Sequence, residues 1–265
     1  MMSAERQQTI KELLTTTRMV YVSALAEMFS VSEMTIRRDL EALEKRGVLR
    51  RVYGGAVVEE ALYAEIHDVP IHVRSVDKLP EKQAIAERAV QLIEPNDVII
   101  LDAGTTTLEI AKRLKDWRGL VVITNSLPVA WELAGGGPSL LMIGGQIRGS
   151  SLSAVGSKAT AFLSDIVVNT VFLAASGLSL ERGIMNSNLD ESEVKRLMMG
   201  RCNKVVLVSD TSKFQNQAYH VVAGWDEIDT FITDDRLPDD VCEKLSALGV
   251  DLIKVGVSTS ESILR

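Results

Sequence analysis

The chain is poor in the residues that build disulfide frameworks and metal sites. Its 265 residues include only two cysteines, Cys202 and Cys242, and three histidines. The cysteines form no CxxC pair and have no clustered histidine, so we expect reduced thiols in a cytoplasmic protein and no metal site. No apolar run approaches the roughly 18–20 residues of a membrane helix, and the charged start lacks the apolar stretch of a signal peptide. We therefore expect no membrane association.

Familiar catalytic and cofactor motifs are also missing. The chain has no recognisable Ser-His-Asp set, P-loop or GxGxxG fingerprint, so neither ATP nor NAD is indicated and no cofactor is expected. Carboxylates alone can support proton transfer. Candidate bases are Asp102, Glu191, Glu193 and Asp210, with Lys213 as an acid. An active sugar-phosphate isomerase therefore stays open as the alternative to a protein that is not an enzyme.

Basic charge is scarce overall but locally concentrated. The net charge is −7, yet residues 1–60 hold nine basic and nine acidic residues and sum to zero. Residues 37–51 carry six basic and three acidic side chains. This distribution is typical of a small DNA-binding module attached to an acidic body, with phosphate attraction confined to one face.

The stretch SEMTIRRDLEAL, residues 32–43, predicts an amphipathic helix. Ile36, Leu40 and Leu43 share one face, and Ser32 can cap the first turn. A shorter helix at 23–29 and a tight turn at Ser30 and Val31 precede it, which gives a helix-turn-helix. Its exposed side would carry the DNA-reading residues Ser32, Met34, Thr35, Arg37 and Arg38. The alternative for the isolated helix is a surface helix with solvated charges.

The flanking sequence predicts the rest of a winged domain at residues 1–58. Residues 4–16 read as a first helix, 20–22 as a short extended piece, and Gly47 as the end of the recognition helix. Residues 48–58, with Gly54-Gly55, favour a β-hairpin that forms a wing. Arg50 and Arg51 on it could contact DNA, or could lie on a solvated strand edge.

A linker and a second domain follow. Residues 59–78 show no clean period, and Pro70 is expected to break any helix there. From 79 to 257, near-continuous Val/Ile/Leu strands alternate with helices, which predicts an α/β domain with a mostly parallel sheet covered on both faces. Strands are expected at 97–102, 120–124, 139–143, 170–176, 204–209, 230–233 and 251–255. Residues 258–265 are expected to form a C-terminal tail.

Polar residues stand where several of these strands end, and ligands bind beyond the carboxyl ends of open α/β sheets. Asp102, Gly104 and Thr105–Thr107 follow the first strand, with Gly104 permitting a tight turn into a helix whose N–H groups can bind an anion. Asn125 follows the second strand, Arg148 the third, and Lys213 a later one. Together they predict a pocket for a phosphorylated sugar. The alternative for the Asp102 segment alone is a well-capped strand–helix turn.

These motifs give the chain a resemblance to the DeoR family of bacterial transcriptional regulators over nearly its whole length. The matching stretches are VSEMTIRRDLE, RVYGGA, EKQAIAERA, DAGTTTLEIA, TNSLPVA, GGQIR, GIMNSNLDESEVKR and SDTSKF. The resemblance implies a winged helix-turn-helix and a sensor domain similar to the ribose-5-phosphate isomerase and CoA-transferase folds. It also implies a dimeric or tetrameric repressor of carbohydrate catabolism, bound to operator DNA at the nucleoid and released by a phosphorylated sugar intermediate. An activator is a further alternative.

Carried over by residue, the resemblance adds Tyr53 to the wing contacts with Arg50 and Arg51. It places Lys195 in the effector pocket beside Asp102, Asn125, Arg148 and Lys213. Lys195 could instead pack its helix and pair locally with Glu193. Met185, in a segment that is usually rich in hydroxyl groups, makes this pocket more apolar than the family pattern implies.

Overall fold

The computed structural model describes residues 3–17, 19–46, 48–52, 54–58, 69–216 and 218–257. They fall into two compact units, residues 1–68 and 69–265. The N-terminal unit contains α1 (Ser3–Thr17), β1 (Met19–Tyr21), α2 (Val22–Phe29), α3 (Glu33–Glu44), β2 (Leu49–Val52) and β3 (Gly55–Val58). The predicted helices and the hairpin are confirmed, while Gly47 lies outside the described residues.

The core of the N-terminal unit forms where the apolar faces of its three helices meet the sheet. β3 pairs antiparallel with both β2 and β1, so the short extended piece before α2 completes a three-stranded sheet. Ile36, Leu40 and Leu43 are buried with Ile10 and Leu25 in one cluster. The α2–α3 turn passes through Ser30, at φ 52°, and this arrangement is a winged helix-turn-helix.

The C-terminal unit alternates strands and helices. Its first elements are α4 (Ile71–Val76), α5 (Leu79–Val90), β4 (Val98–Leu101), α6 (Thr105–Leu114), β5 (Val121–Thr124), α7 (Leu127–Leu133) and β6 (Ser139–Met142). Next come β7 (Gln146–Arg148), β8 (Ser153–Val155), α8 (Ser157–Leu163), β9 (Val168–Leu173), β10 (Gly177–Ser179) and β11 (Gly183–Asn186). The last are α9 (Leu189–Met199), β12 (Cys202–Val208), β13 (His220–Ala223), β14 (Thr230–Asp234), α10 (Asp239–Ala247) and β15 (Asp251–Val255).

Seven strands form one parallel sheet in the order β15-β14-β12-β9-β4-β5-β6. Apolar clusters cover both faces: α5, α6 and α7 pack on one, and α8, α9 and α10 on the other. The predicted parallel sheet, covered on both faces, is confirmed. From β4 the chain runs outward to β5 and β6, then returns to β9 and runs the other way. The strand order therefore reverses between β4 and β9, where open α/β sheets bind their ligands.

The structure corrects one secondary-structure prediction and adds elements that were not predicted. The expectation that Pro70 excludes a helix from residues 59–78 is wrong, because α4 begins immediately after Pro70. Proline cannot continue a helix but is compatible with its start. β7 and β8 form an antiparallel pair, and β10, β11 and β13 a small antiparallel sheet. These strands lie beyond the carboxyl end of the parallel sheet.

Candidate functional site

The first turns of α3 carry the residues that the sequence predicts to read DNA. Ser32 caps the helix, and its Oγ accepts a hydrogen bond from Thr35 N–H at 3.3 Å. Met34 is 61% exposed, and Arg37 and Arg38 are exposed beside it. Met34 and Arg38 therefore lie on the outward side of α3, with half-buried Thr35 and exposed Arg37 on its two flanks. They stand near the N-terminus of the helix, the end that enters a major groove in helix-turn-helix proteins.

The basic side chains of this unit differ in whether they already form ion pairs with acidic side chains of the same unit. Arg37 pairs with Glu33 one turn earlier, at 3.2 Å between exposed groups. Arg51 pairs with Glu44 at 2.7 Å, and its N–H donates to the same carboxylate at 2.8 Å, so the wing is tied to α3. Arg38 forms no ion pair within the described part of the chain. The side chain of Arg50 and all of Tyr53 lie outside the described residues.

A buried ion pair that sequence reasoning missed holds α3 against α1. Arg6 Nε donates to Asp39 Oδ2 at 2.6 Å, and both side chains are less than 8% exposed. Ser3 Oγ and Gln7 Nε2 also donate to Asp39 Oδ1. Burial by itself raises the pKa of Asp39, but these hydrogen bonds outweigh it and hold the pKa below its ordinary value. The pair therefore ties α3 to α1 through a buried, charge-assisted contact.

The lowered pKa of Asp39 predicts acid sensitivity of the N-terminal unit. Just below the unfolded-state pKa of about 3.9, the unfolded chain binds a proton at this carboxyl and the folded unit does not. The free energy of unfolding therefore decreases as the pH decreases. The stabilisation by the ionised Asp39 carboxylate is fully present above the unfolded-state pKa. It is lost as the pH falls through the lower pKa of the folded unit. We expect acid unfolding of residues 1–68, followed by circular dichroism, to begin near pH 4. A variant Asp39→Asn should lose this part of the pH dependence.

In the C-terminal unit, Asp102 occupies the point where the strand order reverses. It follows β4, its N–H donates to Phe172 O on β9, and its Oδ2 accepts from Ala174 N–H at 2.9 Å. Lys195 on α9 donates to the same Oδ2 and, at 2.9 Å, to Ala174 O. Lys195 is 3% exposed and pairs with Asp102, whereas Glu193 is exposed.

The Asp102 carboxylate is only half satisfied. Its Oδ1 is buried and has no hydrogen-bond partner in the described part of the chain, and the same holds for Asn125 Oδ1. Burial raises the pKa of Asp102, and the Lys195 ammonium and the Ala174 N–H offset only part of that rise. Buried acceptors without partners are costly, and they are rare in folded proteins unless a water or a ligand supplies the donor.

A network of buried polar groups surrounds Glu191, a residue that the sequence suggested only as a possible base. Ser153 Oγ donates to Glu191 Oε1 at 2.8 Å, and Asn186 Nδ2 donates to Oε2 at 2.9 Å. The Arg148 guanidinium lies 3.9 Å from Glu191 and donates to Ser150 Oγ at 2.5 Å. Burial raises the pKa of Glu191, but Lys195 and its hydrogen-bond donors lower it below the ordinary value.

The loop after β4 and the end of β5 complete this region. A Cβ at residue 104 would come 2.5 Å from Ala174 Cβ, so Gly104 serves a close approach to β9 rather than the tight turn suggested by the sequence. The Thr107 hydroxyl donates to two backbone carbonyls of the same loop, Asp102 O and Gly104 O. Its proton is therefore already used within the loop. Thr105 and Thr106 are buried at the start of α6. Asn125 Nδ2 donates to Ala154 O at 3.3 Å.

Lys213 is not brought to this cluster by any contact among the described residues. It lies partly buried in a 3₁₀-helix, Thr211–Gln215, after β12. Its charge acts instead on Lys82 of α5, which is 2% exposed. Burial, followed by repulsion from Lys213, lowers the pKa of Lys82 to about 8. Sequence reasoning missed Lys82, Ser153 and Asn186, although Lys82 and Asn186 stand in stretches that carry the family resemblance.

Comparison with known proteins decides the family. The DeoR-like helix-turn-helix domain matches residues 6–61, and the DeoR C-terminal sensor domain matches residues 77–235. The chain belongs to the DeoR family. It is 34% identical to a putative aga operon transcriptional repressor of Escherichia coli O157:H7, over 96% of this chain and 94% of that one. It is 35% identical to the regulator GlpR of Haloferax volcanii, over 96% and 98%.

A DeoR regulator is a DNA-binding transcription factor, and its relatives carry regulator names, so this chain is a regulator and not an enzyme. Among solved structures, ribose 5-phosphate isomerase A of Methanocaldococcus jannaschii matches 50% of this chain and 52% of its own at 16% identity, with a TM-score of 0.37. Within the described ranges, no helix has the length and apolarity to span a bilayer. The same ranges hold no group of three or more potential metal-binding side chains.

Proposed function

We propose that this DeoR regulator represses a carbohydrate-catabolism operon and is released from its operator by a phosphorylated sugar. The observation that carries the effector class is the pair of buried oxygens without partners, Asp102 Oδ1 and Asn125 Oδ1. Both are acceptors at the carboxyl end of the sheet, and sugar hydroxyls are suitable donors. Lys195, Arg148 and, from another element, Lys213 provide cations for the phosphate.

A thermal-shift screen tests the effector class. Purified protein is heated with pentose, hexose and polyol phosphates, each paired with its unphosphorylated counterpart. A ligand that binds only the native state at about 100 times its Kd adds about 2.7 kcal/mol to the unfolding free energy. We expect a clear shift with one phosphate and none with its free sugar. Equal shifts with both, or no shift with any compound, would contradict the proposal.

Operator recognition is assigned to α3, with a larger role for Arg38 than for Arg37. Arg38→Ala should lose about 1–3 kcal/mol of specific binding if the guanidinium reads a guanine. The loss for Arg37→Ala should be smaller because Arg37 must first give up Glu33. The measurement is fluorescence anisotropy with duplexes that the wild-type protein selects from a random library.

The salt dependence of the same titrations separates base reading from phosphate contact. A side chain that contacts only phosphate would weaken all duplexes alike and flatten the salt dependence by about one unit. Lys158→Met, an exposed lysine on α8, serves as the control. Wild-type affinity in both arginine variants would exclude α3 as the reading helix.

Lys213 is assigned to effector recognition and not to DNA binding. Lys213→Ala should bind selected DNA like the wild type, yet require at least about tenfold more sugar phosphate for release, since one charge-assisted contact to a phosphate is worth about 1.5–3 kcal/mol. Anisotropy titrations with the phosphate found in the screen measure this. Release at the wild-type concentration would remove Lys213 from the pocket.

The same proposal includes assembly and location. Helix-turn-helix regulators read two half-sites about one helical turn apart, so one copy of α3 is matched by a second on a symmetric partner. We propose a homo-oligomer, dimer or tetramer, that acts in the bacterial cytoplasm and lies at the nucleoid when bound to DNA. Sedimentation at micromolar concentration checks this, and a monomer with full DNA affinity would contradict it.

A further inference from the structure

The two edges of the parallel sheet differ in how they are protected. β15, at one edge, carries Asp251 and Lys254, both exposed, and charges on an edge strand discourage pairing with another chain. β6, at the other edge, reads Ser-Leu-Leu-Met and pairs only with β5 among the described strands. It lies in a stretch, residues 133–147, without a single charged side chain, although 25% of the whole chain is charged. β6 is therefore an open edge that lacks the usual protection.

The backbone of β6 has hydrogen-bonding groups that face away from the sheet. Ser139 N–H donates to Leu120 O at 2.9 Å, and Ile143 N–H donates to Thr124 O at 2.8 Å, both on the β5 side. Because N–H groups alternate in direction along a strand, those of residues 140 and 142 point outward, together with their carbonyls. A further extended strand could pair with these groups.

Exposed apolar side chains lie beside this edge. Trp131 on α7 is 85% exposed, and Leu127 lies one turn earlier on the same face of the helix. Leu127 N–H donates to Leu152 O at 2.9 Å, so the apolar surface continues to the turn between β7 and β8. Leu152 and Ile147, on that hairpin, are also exposed.

Both faces of the edge strand contribute to this surface. Leu140 packs in the core cluster that contains Val129 and Leu133 of α7, so it points to the α7 side. Leu141 therefore points to the opposite face, where it is exposed. The open edge thus has Trp131 on the side of α7 and Leu141 on the other.

A second copy of the same edge is complementary to this arrangement. Two β6 strands related by a two-fold axis perpendicular to the sheet would run antiparallel, as the symmetry of a dimer requires. Such an axis leaves each face of the sheet on its own side. α7 then meets the α7 helix of the second copy, and Leu141 meets the partner's Leu141. With no charge in residues 133–147, the two edges bring no like charges together.

The size of the surface also suits a dimer. Trp131 exposes roughly 200 Å², since aromatic side chains of this kind bury 150–250 Å². That is about a quarter of the roughly 800 Å² that each partner buries in a stable interface. Tryptophan is enriched among the residues that dominate binding energy, and the aliphatic side chains around it would exclude water.

We propose that this surface, termed the edge surface, binds a second copy of the chain through antiparallel pairing of the two β6 strands. The edge surface consists of β6 with Leu127, Trp131, Leu141, Ile147 and Leu152. The inference rests on the proposed homo-oligomer and names the surface that forms it. The resulting dimer carries two DNA-binding units, as two operator half-sites require.

Sedimentation velocity of the full-length protein over a wide range of concentrations tests the edge surface. Trp131→Glu should raise the concentration at which the assembly half-dissociates at least about tenfold. Leu141→Lys places a protective charge on the edge and should act in the same direction. Val167→Glu is the matched control, because Val167 is 76% exposed but lies just before β9, outside the edge surface. Circular dichroism checks that each variant is folded.

Hydrogen exchange resolved to single amides tests the strand pairing itself. In the assembled wild type, the amides of Leu140 and Met142 should be protected, and Trp131→Glu at the same concentration should speed their exchange at least tenfold. The amides of Ser139 and Ile143, which donate toward β5, serve as the internal reference and should change less than twofold. Fast exchange at Leu140 and Met142 in the assembled wild type would overturn the pairing.

The outcomes of sedimentation separate this inference from the proposal on which it rests. A monomeric wild type would contradict the homo-oligomer, and the edge surface would fall with it. An oligomer that is undiminished in both Trp131→Glu and Leu141→Lys, or equally weakened in Val167→Glu, would overturn the edge surface alone. A tetramer reduced to a dimer by Trp131→Glu and Leu141→Lys would support it, because a tetramer of two-fold symmetry contains more than one kind of interface.

Discussion

Replacing Lys195 with methionine is expected to destabilise the C-terminal unit by about 3–4 kcal/mol at pH 7. The substitution keeps the length of the side chain but leaves Asp102, which is 1% exposed, without its countercharge. The loss has a ceiling, because Asp102 can take up a proton instead. Protonating a carboxyl of ordinary pKa, about 3.9, at pH 7 costs about 4 kcal/mol at 1.36 kcal/mol per unit.

The same ceiling gives this prediction a pH signature. At pH 5 the cost of protonation falls to about 1.5 kcal/mol, so the stability deficit of Lys195→Met should shrink as pH falls. The direction follows from the raised pKa of Asp102, whose protonated form needs no countercharge. Urea unfolding at pH 7 and pH 5 measures it. A deficit independent of pH would show that Lys195 contributes packing and not charge.

A double variant separates stability from ligand binding. Asp102→Leu with Lys195→Met removes both charges, and replacing a buried ion pair by apolar residues of similar volume is often neutral for stability. We expect most of the lost stability to return while binding of the sugar phosphate stays absent. Recovery of binding together with stability would exclude both residues from the effector site.

Asp39→Ala is expected to destabilise the N-terminal unit by about 3 kcal/mol, because it breaks the buried pair with Arg6 and removes the acceptor for Ser3 and Gln7. The free energy of unfolding of a small unit is only a few kcal/mol, so this loss should lower the folded fraction at 37 °C, and DNA binding should decrease with it. Chemical unfolding followed by circular dichroism, together with anisotropy at 15 °C and 37 °C, measures both.

A second acid on the same helix provides the control for Asp39. Glu33 forms an exposed pair with Arg37, and such pairs are worth less than about 1 kcal/mol. Glu33→Ala should therefore barely change stability. The double variant Arg6→Met with Asp39→Leu should recover much of the loss. Equal effects of Asp39→Ala and Glu33→Ala would mean that the Arg6 contact is not formed in solution.

Much of the fold could be predicted because long elements repeat their burial pattern. The face of α3 that carries Ile36, Leu40 and Leu43 follows from helical spacing, and the buried runs of β4, β5 and β12 follow from their Val, Ile and Leu content. The antiparallel strands β10 and β11 were missed because three or four residues are too few to show a period. α4 was missed because a proline was read as a break rather than a start.

The site residues could be predicted only where polar side chains directly follow the end of a predicted strand. Asp102 and Asn125 stand at such positions, and the structure buries both. Lys82 lies on an amphipathic helix and looks like a solvated charge, because the two carbonyls that its ammonium contacts, Arg74 O and Asp77 O, belong to the end of α4. Asp39 shares the spacing of Ile36 and Leu43, so its burial could have been inferred, but its partner Arg6 is 33 residues away. Contacts between distant segments leave no local pattern to read.

The most direct test of the central claim is the anisotropy of a selected duplex titrated with wild-type protein, with and without the sugar phosphate from the screen. A regulator whose sensor discriminates between two states should lose operator affinity by a factor of about 5–150 on binding effector. We predict at least a tenfold loss with the phosphate and no change with its free sugar. DNA binding that the phosphate leaves unchanged, although it binds and stabilises the protein, would contradict release by the effector.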